Sequence, residues 1–132
     1  MPVRRVQDLI IWQVAREVAA EIYRQTLDEA FERDPHLRAD LRRRARAIMT
    51  HIAVGYEAET PTGLARSFTR AAQAATDLAS LVQITTDLEV LGRPALAGMF
   101  TKVAEISRLI KGWQRALRTH RLARRLTSTR VN

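Results

Sequence analysis

Five arginines crowd into nine residues, Arg38, Arg42, Arg43, Arg44 and Arg46, with Asp40 as the only acid nearby. A second group, Arg115, Arg118, Arg121, Arg124, Arg125 and Arg130, runs with His120 to the end of the sequence without an acidic side chain, and so carries six of the eight net positive charges. The guanidinium is a planar, permanently charged fork of donors that matches phosphate geometry. These clusters therefore point to binding of nucleic-acid phosphates rather than to bond making. All but Lys102 and Lys111 of the 22 basic residues are arginine. A GC-rich genome also favours arginine codons, but it does not explain the excess of basic over acidic side chains.

Arg38, Arg42 and Arg46 recur one turn apart and share a helix face. The candidate nucleic-acid contacts are Arg38, Arg42, Arg43, Arg46, Arg115, Arg118, Arg121, Arg124 and Arg125. Phosphate contacts give affinity without sequence information. Neither cluster carries an aromatic for base stacking, which favours a duplex or structured RNA over a single strand. The C-terminal cluster has two further readings. It could lie on an anionic membrane with Leu122 and Leu126 as a weak apolar edge, or it could be a solvated tail without a partner.

Catalytic chemistry finds little support. Without cysteine there is no disulfide, zinc–thiolate site or thiol nucleophile. His36, His51 and His120 fall in three separate places, and only His36 and Asp40 stand at i, i+4. A di-iron bundle needs Glu-x-x-His repeats, and none occurs. No Gly-x-Gly-x-x-Gly, Walker A or Gly-x-Ser-x-Gly pattern is present. Glu57 and Glu59 stand beside Thr60-Pro61 and read as a solvated cap. The expectation is a non-enzyme without cofactor or metal. Asp77 interrupts an apolar run, which calls for either an arginine partner or a contact at a subunit interface.

The elements that must carry these residues are helical. Hydrophobic residues make up 46% of 132 residues, with five glycines and four prolines, a globular composition sized for one domain. Each proline stands where a helix should begin. Asp34-Pro35 and Thr60-Pro61 pair an N-cap with proline at the first helical position, and Pro94 follows the Leu91-Gly92 stop. Gly55, Gly63 and Gly92 read as helix stops or starts, while Gly98 and Gly112 fall inside the last helix, where they could allow close helix approach.

Helices are predicted at about 4–29, 35–57, 61–90 and 94–117, forming an all-α antiparallel up-down four-helix bundle over residues 1–117, followed by a basic helix extension or tail at 118–132. In the fourth helix Leu96, Met99, Val103, Ile106, Ile110, Trp113 and Leu117 recur at alternating steps of three and four, an a/d seam. Leu64, Phe68, Ala71, Ala75, Leu78 and Val82 do the same in the third, flanked by a second row, Leu81, Ile84, Leu88 and Leu91. The second helix offers Leu37, Leu41, Ala45, Ile48 and Ile52. The first offers Ile11, Val14, Ala15, Val18 and Ile22, widened by Trp12, Ala19 and Tyr23. The wide faces of helices one and three suggest a subunit interface, with Trp12, Tyr23, Asp77 and Trp113 as its candidate residues. No apolar run suits a signal peptide or membrane span, so a cytoplasmic protein without membrane attachment is expected.

Asp8-Leu9-Ile10-Ile11-Trp12-Gln13, followed by Ile22-Tyr23-Arg24, resembles the opening of the 23S rRNA intervening-sequence protein family, also called four helix bundle proteins. Leu41-Arg42-Arg43-Arg44-Ala45 resembles the family's basic stretch. Ile48 and Ile52-Ala53-x-Gly55 match its Asn-Ile-Ala-Glu-Gly region in part, with His51 and Val54 replacing Asn and Glu. Ile106 to Trp113, ending in Gly112-Trp113, resembles the last helix of the related Avd accessory proteins of diversity-generating retroelements. The resemblance implies a barrel-shaped homopentamer, a non-catalytic role in handling RNA or DNA, and a reverse transcriptase as protein partner.

Overall fold

A computed structural model describes the backbone of residues 5–131 and the side chains of residues 5–119. Its four long helices are α1 (Ile10–Gln25), α2 (Pro35–Tyr56), α3 (Pro61–Asp87) and α4 (Arg93–Val131). Short 3-10 turns at Val6–Asp8 and Glu29–Arg33 bracket α1. Among the described residues there is no strand. The helices pack in cyclic order, α1 on α2, α2 on α3, α3 on α4 and α4 on α1. Short connections make each neighbour antiparallel to the last, giving an up-down bundle.

The apolar stripes close on one another. Leu41, Ala45, Ile48 and Ile52 of α2 are fully buried, as are Leu78 and Val82 of α3 and Met99, Ile106 and Ile110 of α4. Ile11, Val14, Ala15, Val18 and Ile22 of α1 complete the core. Two further seam residues, Trp113 and Leu117, sit at its edge; the Trp113 ring stacks on buried Phe68 with centroids 5.2 Å apart and planes 7° from parallel.

Both Pro-marked starts are capped. The Asp34 carboxylate accepts from the Leu37 amide at 3.0 Å, and the Thr60 hydroxyl accepts from the Gly63 amide at 3.0 Å. Helix one is shorter than its apolar pattern suggests. It begins after extended Leu9 and ends at Gln25, where Thr26 and the Asp28-capped turn redirect the chain. Helix three stops at Asp87 rather than at Leu91-Gly92. Glu89 adopts a left-handed conformation (φ 53°), its amide donating to Thr86 O and the Val90 amide to Thr85 O. That is the pair of backward bonds of a Schellman stop, built on a glutamate.

Gly55 also departs from the sequence reading, because it lies buried inside the last turn of α2 rather than ending it. A β-carbon there would come within 3.1 Å of Ser67 Cβ and 3.3 Å of the Phe68 ring, so Gly55 is where α2 and α3 approach most closely among the glycines. Gly98 and Gly112 do not serve that purpose, since a β-carbon at either would meet only a flexible side-chain end. Of the second apolar row, Leu81 and Leu91 pack against the core, whereas Ile84 and Leu88 stay exposed.

A left-handed backbone costs a non-glycine residue about 1 kcal/mol or more. Glu89→Gly should therefore raise the unfolding free energy by about 1 kcal/mol in urea denaturation. An unchanged or lowered midpoint would show that the α3 stop does not use this geometry.

Candidate nucleic-acid interface

The inward stripe of α2 fixes where its arginines point. With Leu37, Leu41 and Ala45 facing the core, Arg38, Arg42 and Arg46 fall together on the flank beside α1. There they line a groove of about 500 Å³ with Arg43, Ala39, Pro35 and Tyr23 of α1. Arg42 is held in place. Its Nε–H donates to Thr26 Oγ1 at 2.8 Å, and the buried Thr26 hydroxyl donates on to the Ile22 carbonyl at 2.7 Å. Its guanidinium carbon lies 4.8 Å from the centroid of the Tyr23 ring, a cation–π contact.

The arginines of this helix divide by partner. Arg43 pairs with Asp40 at 2.8 Å, and Arg44, on the opposite flank, lies 3.6 Å from Asp77. Among the described residues Arg38, Arg42 and Arg46 have no carboxylate partner. Three uncompensated charges thus share one concave surface.

Tyr23 alters the sequence-based view of this cluster. The α2 segment contains no aromatic, which argued for duplex over single strand. The fold brings one in from α1. Tyr23 and Thr26 stand three residues apart on one face of α1, a spacing that could have marked them as a pair facing α2, but only the register of two helices shows which arginine they meet.

The second cluster lies at the other end of the bundle. Arg115 and Arg118 are exposed on α4, and Arg118 lines a smaller groove with Ala65, Thr69, Gln114 and Leu117. Trp113, one turn before, stacks at the level where Gly55 meets Phe68, about 20 Å along α2 from Arg42. The two clusters are therefore not one surface within a single chain. Arg121, Arg124 and Arg125, with His120, lie outside the described side chains.

The four residues expected at a subunit interface are not gathered on one face. Tyr23 lies in the basic groove, and half-buried Trp12 has the Arg16 guanidinium 5.6 Å from its ring. Asp77 is exposed at the α2–α3 seam, where its carboxylate meets Arg44. Trp113 covers Phe68 at the α3–α4 seam. Among the described residues no three His, Asp or Glu side chains gather as a metal site. No helix among them is long and apolar enough to cross a membrane.

Comparison with known families matches residues 7–112 to the family described as 23S rRNA-intervening sequence protein. The chain belongs to that family. The Tyr23–Arg46 groove lies inside the matched segment, whereas Arg115 and the basic residues after it lie beyond it. A crystal structure from Bacteroides thetaiotaomicron, of a protein of unknown function from the S23 ribosomal protein family, superposes with a TM-score of 0.72. The match covers 80% of this chain and 98% of that one at 13% sequence identity, a likeness of fold. No curated protein matches.

In this family member one histidine reports on packing. His51 is half-buried on the flank of α2 facing α3, and burial, with Arg70 adding repulsion, holds its imidazole below the usual 6.5. The folded state therefore binds fewer protons than the unfolded chain. The stability that this neutral ring contributes is complete above pH 6.5 and is lost as pH falls through that value toward the depressed folded one. His51→Gln should make the unfolding free energy less sensitive to pH as it falls below 6.5, measured by urea denaturation at stepped pH. Identical pH slopes for variant and parent would contradict this.

Proposed function

We propose that this protein is a non-catalytic, homo-oligomeric accessory protein that binds RNA or DNA through the phosphate backbone. The observation that carries this reading is the row Arg38, Arg42 and Arg46, which is concave, one-signed and without carboxylate partners. Guanidinium groups left unneutralised by their own fold are suited to phosphate oxygens. The family's description, which refers to a sequence within 23S rRNA, favours RNA. The exposed Arg115 and Arg118 add a second, separate basic patch.

Self-association belongs to the same proposal. Ile84 in the last turn of α3 and Leu88 at its C-cap, exposed by 46% and 60%, are apolar surface suited to a second copy. A ring of copies, with a pentamer as the expected form, would repeat the basic groove and bind one nucleic acid with avidity. The alternative reading is an interaction scaffold whose main ligand is a protein, with the reverse transcriptase implied by the Gly112-Trp113 ending as the first candidate. The same exposed Ile84 and Leu88 favour it.

Two measurements test the proposal. Replacing Arg38, Arg42 and Arg46 together by alanine should weaken binding of a structured RNA and make the log–log salt dependence shallower by about 2 to 3. Unchanged affinity and slope would overturn the assignment to this groove. Light scattering should give a mass several times 15.0 kDa, and a mass of 15.0 kDa would remove the oligomeric part of the proposal.

A further inference from the structure

Neutralising phosphates requires only mobile, solvated arginines. The α1–α2 groove contains more than that. Arg42 is clamped twice, through Nε–H to Thr26 Oγ1 at 2.8 Å and through its charge over the Tyr23 ring at 4.8 Å. The hydroxyl that clamps it is itself buried and anchored to the Ile22 carbonyl. Among the described residues neither Nη group of Arg42 has a protein partner. Fixing a long side chain in this way gives up rotamer freedom, which a purely electrostatic contact does not need.

The result is a preorganised flat cation backed by an aromatic ring, inside a groove of about 500 Å³. The groove is open rather than enclosed, a shape that fits one face of a flat group. Arg38 and Arg46 stand one turn to either side, spanning about 12 Å, the rise of three to four stacked nucleotides.

We propose that this groove seats one unpaired nucleotide, its base packed against the Arg42–Tyr23 pair, with Arg38 and Arg46 taking phosphates of the strand to either side. The proposal deepens the nucleic-acid reading and rests on it for the biological source of the ligand. A base within a duplex has both faces covered by its neighbours, whereas an unpaired base offers a free face to a guanidinium or ring. A free mononucleotide and a nucleotide in an RNA loop present the same chemistry here.

The test uses the full-length protein. Titration calorimetry compares AMP, ribose 5-phosphate and inorganic phosphate, and a binding assay compares an RNA hairpin carrying an unpaired loop with a blunt duplex of equal length. Two variants accompany the parent. Arg42→Lys keeps the charge but loses the planar fork and the Nε donor. Thr26→Val removes the clamping hydroxyl and leaves every charge in place. Thermal melting checks that both variants fold.

Base stacking should make AMP, or the looped RNA over the duplex, bind about tenfold better than its base-free or fully paired counterpart. Both variants should reduce that preference about fivefold or more, and Thr26→Val, which alters no charge, should leave duplex binding and its salt slope unchanged. Equal binding of AMP and ribose 5-phosphate, together with equal binding of looped and duplex RNA, would overturn the proposal. So would variants that weaken duplex binding by the same factor. Duplex binding by the parent protein without any preference for looped RNA or for AMP removes the pocket and keeps the nucleic-acid function. Base-dependent AMP binding without any RNA binding removes that function and keeps the pocket as a free-nucleotide site.

Discussion

The apolar stripe of α2 is the constraint on which the rest depends. Leu37, Leu41, Ala45, Ile48 and Ile52 must all face the core, because they form the one row of apolar residues that recurs at every turn of that helix. Once they do, the remaining positions have no freedom. Arg38, Arg42 and Arg46 fall on the α1 flank, and Arg44 and His51 fall on the α3 flank with Asp77 and Arg70 as neighbours. A rotation of α2 would carry the first row away from Tyr23 and Thr26 and unpair Arg44 from Asp77. The hydrophobic effect thus builds the charged surface indirectly, by fixing the rotation of the helix that bears it.

The charged row works against the fold. Like charges at successive turns destabilise a helix by a few tenths of a kcal/mol per pair. The same helix shows that carboxylates can relieve such repulsion, since Asp40 neutralises Arg43 and Asp77 meets Arg44. Among the described residues no such relief reaches Arg38, Arg42 or Arg46, and the contacts that hold Arg42, a hydroxyl and an aromatic face, order it without cancelling its charge. Binding an anion would remove the repulsion, which couples the groove's electrostatics to a ligand rather than to stability.

What the sequence revealed and what it withheld follow from the range of the interactions. The four helices, their buried seams and the Asp34-Pro35 and Thr60-Pro61 starts were legible, because periodicity and capping are set by residues within a turn or two of each other. The arginine row was legible for the same reason. The stop of α3 was misplaced because its left-handed residue is Glu89, with Gly92 three residues further on offering the more conventional signal. The role of Gly55 was misread because a close approach between helices depends on Ser67 and Phe68 of another helix. The Arg42–Thr26–Tyr23 contact was invisible in the same way. It joins residues 16 and 19 positions apart across a helix seam, and no local pattern encodes that register.

Photo-crosslinking of a 4-thiouridine-substituted RNA to the full-length protein, with peptide mapping by mass spectrometry, tests the central claim most directly. Adducts concentrated on Tyr23 and on the α2 segment from Arg38 to Arg46 are the predicted result. Adducts confined to the α3 face around Ile84 and Leu88, or distributed in proportion to exposure, would contradict the placement of the nucleic-acid surface in the α1–α2 groove.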